Sequence, residues 1–197
     1  MNSWKSIIIR YALLLLFGLG NLFIFYVVFT PLTVYPVFGL ISYFYEATLL
    51  DGGVSESCDV AANMFPFLKG LACMKTTILF NGYFASIIPA CVAGSAYYLL
   101  LILNLSTPLK TGQRVKSLFF LLGIFLIINI LRIFSFALIY ANEGFEFFNI
   151  AHATTWYFGS TVLVIILWFT NILVFKIKEI PVYSDFKLII SQVRGQK

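Results

Sequence analysis

The chain has 197 residues, of which 61% are hydrophobic and 11% charged, with a formal net charge of +5. Its mean hydropathy of +0.97 excludes an ordinary soluble domain and predicts a single polytopic membrane domain over residues 1–197. The positive balance does not require nucleic acid as a partner, because membrane proteins collect Lys and Arg on their cytoplasmic side.

Lys5 and Arg10 precede an uncharged run over about residues 11–30, long enough to cross a bilayer. This flank predicts a cytoplasmic N-terminus. The run is too long for a cleaved signal peptide, and no small-residue cleavage site follows it. Residues 32–50 are also apolar, but Pro31 and Pro36 open the segment and Glu46 lies near its end. A crossing here reverses the charge asymmetry of every later segment, so the expectation is an interfacial or re-entrant helix. Residues 51–88 form the expected outer loop, with Asp51, Glu56 and Asp59. It also holds Cys58 and Cys73, which are close enough in sequence to form a disulfide or to remain separate thiols. Within it, Asn81-Gly82 separates two β-prone runs, the signature of a small hairpin whose turn needs positive φ twice.

The second strand of that hairpin runs into Pro89-Ala90-Cys91. Proline suits the first helical position, so Cys91 is expected in the first turn of a span over about 90–109. There the unpaired N–H groups and the positive end of the helix dipole favour the thiolate. Gly94 and Ser95 leave room beside the sulfur for a substrate backbone or for another helix. The plain alternative is a small apolar residue in a tight helix contact. Lys110, Arg114 and Lys116 mark a cytoplasmic loop, a third span covers about 117–141, and a fourth covers about 152–175 before the basic tail 176–197. Ten of the 13 Lys and Arg fall in the segments read as cytoplasmic, and six of the eight acids in those read as outer. The fold class is therefore all-α, with about four transmembrane helices, the interfacial helix and a small outer hairpin.

Arg132 is the charge inside the third span, where an arginine costs about 3 kcal/mol or more. At a rise of about 1.5 Å per residue it lies about 24 Å beyond Lys116, near the outer boundary of a core about 30 Å thick. Cys91 lies about 29 Å from Lys110 and His152 about 36 Å from Lys176 by the same arithmetic. Three spans thus deliver a thiol, a guanidinium and the sole histidine to one face. Taken singly, the arginine reads as a snorkelling anchor and the histidine as an interfacial residue. Together they support acyl transfer: Cys91 as nucleophile, His152 as proton carrier, and Arg132 as oxyanion stabiliser or proton donor. Asn129, one turn before Arg132, is placed to hydrogen-bond the guanidinium or a substrate. His152, Thr155, Trp156 and Gly159 share a helix face that lines a cleft or, through Gly159, packs closely on a neighbour. No HExxH or other metal-ligand cluster is present, and no cofactor is expected. A serine dyad of Ser95 or Ser160 with His152 lacks a supporting motif.

Three blocks, Ile88-Pro89-Ala90-Cys91-Val92-Ala93-Gly94, Asn129-Ile130-Leu131-Arg132-Ile133, and His152 with Gly159, resemble the exosortase/archaeosortase family of membrane cysteine transpeptidases. The run Ala90-Cys91-Val92-Ala93-Gly94-Ser95-Ala96-Tyr97-Tyr98 looks closest to its compact archaeal members. The resemblance covers about residues 76–175. It implies that Cys91 forms an acyl-thioester, that Arg132 is the second catalytic residue, and that His152 holds a third position occupied by histidine or arginine in the family. It further implies substrates that are exported surface proteins, such as S-layer proteins, ending in a short motif, a hydrophobic helix and a basic tail. The acyl acceptor is then a membrane lipid amine and the active site is at the outer face of the cell membrane. The rival expectations are a non-catalytic membrane subunit or chaperone with a structural Cys91, and a small transporter whose Arg132 binds an anion.

Overall fold

The computed structural model describes residues 9, 11–13, 15, 22–54, 74–107 and 109–177. The elements run α1 (Phe23–Phe44), β1 (Ala47–Val54), β2 (Met74–Phe80), β3 (Tyr83–Ile87), α2 (Pro89–Val92), α3 (Gly94–Ser106), α4 (Thr111–Glu143), α5 (Phe145–Thr154), a π-helical segment (Thr155–Gly159) and α6 (Ser160–Phe175). Among the described residues, three helical stretches are long and apolar enough to cross a membrane: Ile24–Phe44, Pro89–Ser106 and Thr111–Glu143. α6 is a shorter apolar helix of 16 residues. Large apolar side chains such as Phe119, Ile127, Phe169 and Leu173 point outward, the pattern expected where lipid replaces water.

Two expectations need correction. The helix boundary expected at Pro31 does not exist, because α1 continues through Pro31 and Pro36 and ends at Phe44. An internal proline costs about 3 kcal/mol. Here Val34, Val37 and Ile41, at i, i+3 and i+7, are at most 1% exposed, and their burial offsets that cost. The expected helix over 32–50 therefore stops early, and residues 47–54 form a strand instead. The fold is mostly helical but not all-α. β1, β2 and β3 make a three-stranded antiparallel sheet in that order, where only a hairpin was expected. The hairpin itself is as read from Asn81-Gly82: both residues have positive φ, 48° and 79°. The candidate disulfide pair Cys58 and Cys73 lies outside the described residues, as do most of the tail and much of the first expected span.

The apolar side chains gather in two clusters. One joins α3, α4 and α6 around Tyr97, Leu100, Leu121, Phe125 and Leu167. Within it Tyr97 stacks on Phe29 at 3.7 Å and meets the edge of Phe125 at 4.7 Å. The other joins α1, the sheet and α4 through Val37, Ile41, Ile78, Phe80, Ile87 and Ala137. Cys91 packs against this second cluster. The sheet is thus a wall of the site and not a detached outer loop.

Candidate active site

Pro89 opens α2, as expected for the first helical position, and the Cys91 N–H donates to the Ile88 carbonyl at 2.8 Å. The helix then breaks. Ala93 adopts the left-handed conformation, φ 60° and ψ 46°, before α3 resumes at Gly94. A non-glycine residue there costs about 1–2 kcal/mol. The span expected over 90–109 is therefore one turn carrying Cys91, a left-handed residue at Ala93, and a separate helix. A single turn sums too few peptide dipoles to activate a thiol, so the dipole argument for Cys91 does not hold.

The break releases two carbonyls from the helical ladder, and α4 supplies their partners. Asn129 Nδ2 donates to the Cys91 carbonyl at 3.2 Å and to the Val92 carbonyl at 3.3 Å. Arg132 Nη2 donates to the Cys91 carbonyl at 3.1 Å, and Nη1 donates to Ser160 Oγ at 3.3 Å. An arginine and an asparagine one turn apart thus stabilise the strained turn that presents Cys91. Asn129 bonds the backbone and not the guanidinium. Arg132 Nε and Asn129 Oδ1 remain buried without a hydrogen-bond partner.

His152 reaches the same region from α5. Its ring stacks on Phe148, with centroids 5.3 Å apart, and meets Phe136 of α4 at 5.5 Å. The π-helical segment follows directly. At about 100° per residue, His152 and Ser160 would lie about 80° apart around a regular helix. One extra residue in a turn brings them within about 20° of a common face. That turn lets His152 meet Phe136 while Ser160 meets Arg132, on the same face of α4. Gly159 does not serve close helix packing among the contacts seen; a Cβ there would lie 3.0 Å from the Thr155 side chain of its own helix.

Cys91, Arg132 and His152 all line one cavity of about 240 Å³. Its remaining wall is mostly apolar: Ile41 from α1, Ile78 and β3 from the sheet, and Phe136, Tyr140, Phe145 and Phe148 from α4 and α5. Among the described residues Cys91 is a free thiol, and no group of three His, Cys, Asp or Glu could hold a metal. Two residues expected beside the sulfur are elsewhere. Gly94 is buried against α1, where a Cβ would lie 2.8 Å from Tyr26 Cζ, so its smallness serves helix packing. Ser95 is exposed and is not part of the cavity wall. Asn129 stands behind the site; Thr155 lines it; the Trp156 side chain lies outside what is described. The strand read as leading into Pro89 and Cys91 does line the cavity, whereas the aromatic wall is not among the sequence expectations. The spacing Phe145, Phe148, His152 and the pair Phe136, Tyr140 are visible helix faces in the sequence. No family model, curated protein or solved structure matches the chain.

Proposed function

We propose that the chain is a membrane cysteine protease/transpeptidase of the archaeosortase type that cleaves C-terminal tripartite sorting signals of exported proteins. One observation carries the reading: a thiol, a guanidinium and an imidazole from three separate segments line a single apolar cavity. His152 accepts the Cys91 proton, and the thiolate attacks the scissile carbonyl, forming the C–S bond and pushing the carbonyl electrons onto oxygen. Arg132, whose guanidinium borders the cavity, donates to that oxyanion. Collapse breaks the C–N bond, and His152 returns the proton to the leaving amine. A lipid amine then attacks the thioester and gives its proton to His152, and collapse breaks the C–S bond, forming a new amide and releasing the Cys91 thiolate; water in its place gives hydrolysis.

The membrane setting supplies much of the orientation, because a substrate helix held in the bilayer delivers its motif at a fixed depth. The proposed topology has both termini in the cytoplasm and the cavity at the outer face, with α6 completing a fourth crossing. This follows from the placement of Lys and Arg in the sequence.

A second reading draws on the bonds that Arg132 makes: they hold the backbone at Cys91, as in a non-catalytic subunit with a structural cysteine. The test separates the two. Co-expression with an exported protein ending in motif, hydrophobic helix and basic tail yields the shortened, lipid-linked product with the wild-type chain and only the full-length protein with Cys91→Ala. Continued removal of the signal by Cys91→Ala, at normal enzyme abundance, sinks the enzymatic reading.

A further inference from the structure

We propose that the free edge of β3 is the peptide dock of this site: the substrate segment around the scissile bond adds as a fourth strand beside β3. The inference rests on Cys91 as the reacting group and adds how the substrate reaches it.

The sheet order leaves β3 bonded to β2 on one side only. A two-residue turn makes its flanking residues, Phe80 and Tyr83, a hydrogen-bonded pair, and bonded and non-bonded pairs then alternate. Ala85 and Ile87 therefore spend their backbone groups on β2, while the N–H and C=O of Phe84 and Ser86 point away from it. The close approach of Thr77 Oγ1 to Ser86 Oγ, 3.0 Å, is the spacing of a non-hydrogen-bonded pair and fixes this alternation independently. No other strand or loop among the described residues takes up these outward groups.

The edge faces the cavity. Successive strand residues point to opposite faces, yet Phe84, Ala85, Ser86 and Ile87 all line it, which requires the strand to present its side. The strand then leads through Ile88 into the Pro89 turn, so a peptide paired along it is guided toward Cys91. Among the described residues, Arg132 and His152 are the only basic side chains in the wall, and none is acidic. A volume of about 240 Å³ takes one or two side chains and not a larger ligand. The occupant is therefore an extended peptide segment without basic side chains, with an apolar side chain in the cavity. A lipid chain fits the apolar wall but has no use for a row of backbone donors and acceptors, which are costly to leave unpaired near a bilayer.

The test uses the full chain, with the tripartite-signal protein as probe. Proline at position 86 removes an outward N–H and leaves the β2 ladder intact, as edge strands tolerate. Ser86→Ala removes the hydroxyl and keeps the N–H. In a Cys91→Ala background, p-benzoyl-phenylalanine at position 84 is expected to cross-link to the substrate. Ser86→Pro is expected to lower that yield, and the processing rate of the Cys91 enzyme, at least about tenfold below Ser86→Ala. Equal behaviour of the two variants overturns the dock while leaving Cys91 chemistry intact. Cross-links with no processing by the wild-type chain retain the dock and overturn the chemistry. Cross-links only to lipid, or only to a second copy of the chain, overturn the dock. Should Ser86→Pro fail to fold, the photoprobe at position 84 decides, since it acts on the native backbone.

Discussion

α4 carries an arginine toward each end, Arg114 bonding the C-terminal end of α3 and Arg132 bonding the Cys91 turn of α2, and the two ends differ. Eighteen residues apart, Arg114 and Arg132 stand about 27 Å from one another along α4. Arg114 donates to the carbonyls of Asn104, Leu105, Thr107 and Leu109 at 2.7–3.4 Å, closing the C-terminal end of α3. Around it Asn104 Nδ2 donates to Ser117 Oγ, and Ser117 Oγ to Asn171 Oδ1, a buried chain across α3, α4 and α6. Arg132 donates to one carbonyl and one hydroxyl, keeps Nε unused, and borders a cavity with a thiol and an imidazole. The same residue type thus does two jobs. An arginine bonded to backbone carbonyls is not a functional mark by itself; a place in the wall of a cavity shared with a thiol and an imidazole is what separates Arg132 from Arg114.

The sharpest way to break this comparison is to truncate both. Arg132→Ala is expected to lower processing by about 10²–10³-fold, whereas Arg114→Ala leaves activity per folded molecule within about twofold. Arg114→Ala instead lowers stability by about 2–3 kcal/mol, read from detergent-solubilised thermal melts. Equal loss of activity from the two makes both arginines structural. His152→Ala is expected to slow processing by about 10²–10⁴-fold with a smaller change in melting, since its ring packs on Phe136 and Phe148 at the cavity wall. A large stability loss and unchanged turnover would assign His152 to packing alone.

Smaller effects sharpen the closed end and the break. Ser117→Ala leaves Asn104 Nδ2 and Asn171 Oδ1 unpaired and is expected to cost about 1–3 kcal/mol without altering turnover. Ala93→Gly is expected to stay within about 1 kcal/mol of wild type, because relief of the left-handed strain offsets the lost methyl. Ala96→Gly, inside α3, should cost more than Ala93→Gly by about 1 kcal/mol. Equal costs at the two positions would contradict a strained turn at Ala93.

Much of this was legible in the residues. Long uncharged runs announced the helices, Asn81-Gly82 announced the hairpin, and Pro89 announced the turn that carries Cys91. The helical rise alone brought Cys91, Arg132 and His152 to a common depth. What escaped was decided by partners distant in sequence. β1 is a strand because β2 bonds it, although Ala47 to Leu50 end an apolar run that also suits a helix. Pro31 and Pro36 fail to end α1 because buried neighbours outweigh the lost bonds. Ala93, and not Gly94 beside it, takes the left-handed conformation, and the carbonyls this frees are bonded by Asn129 and Arg132, more than 30 residues on. The π-helical turn ends in Gly159, but a single glycine does not announce a π-turn; the turn aims His152 and Ser160 at one face of α4.

The central claim is that Cys91 carries the acyl group. Rapid acid quench of the enzyme with its tripartite-signal substrate, followed by mass spectrometry of the Cys91 peptide, tests it most directly. The account predicts a substrate fragment on Cys91 that neutral hydroxylamine releases and that is absent from Cys91→Ser. Removal of the signal with no adduct on Cys91, and at an undiminished rate in Cys91→Ala, would contradict it.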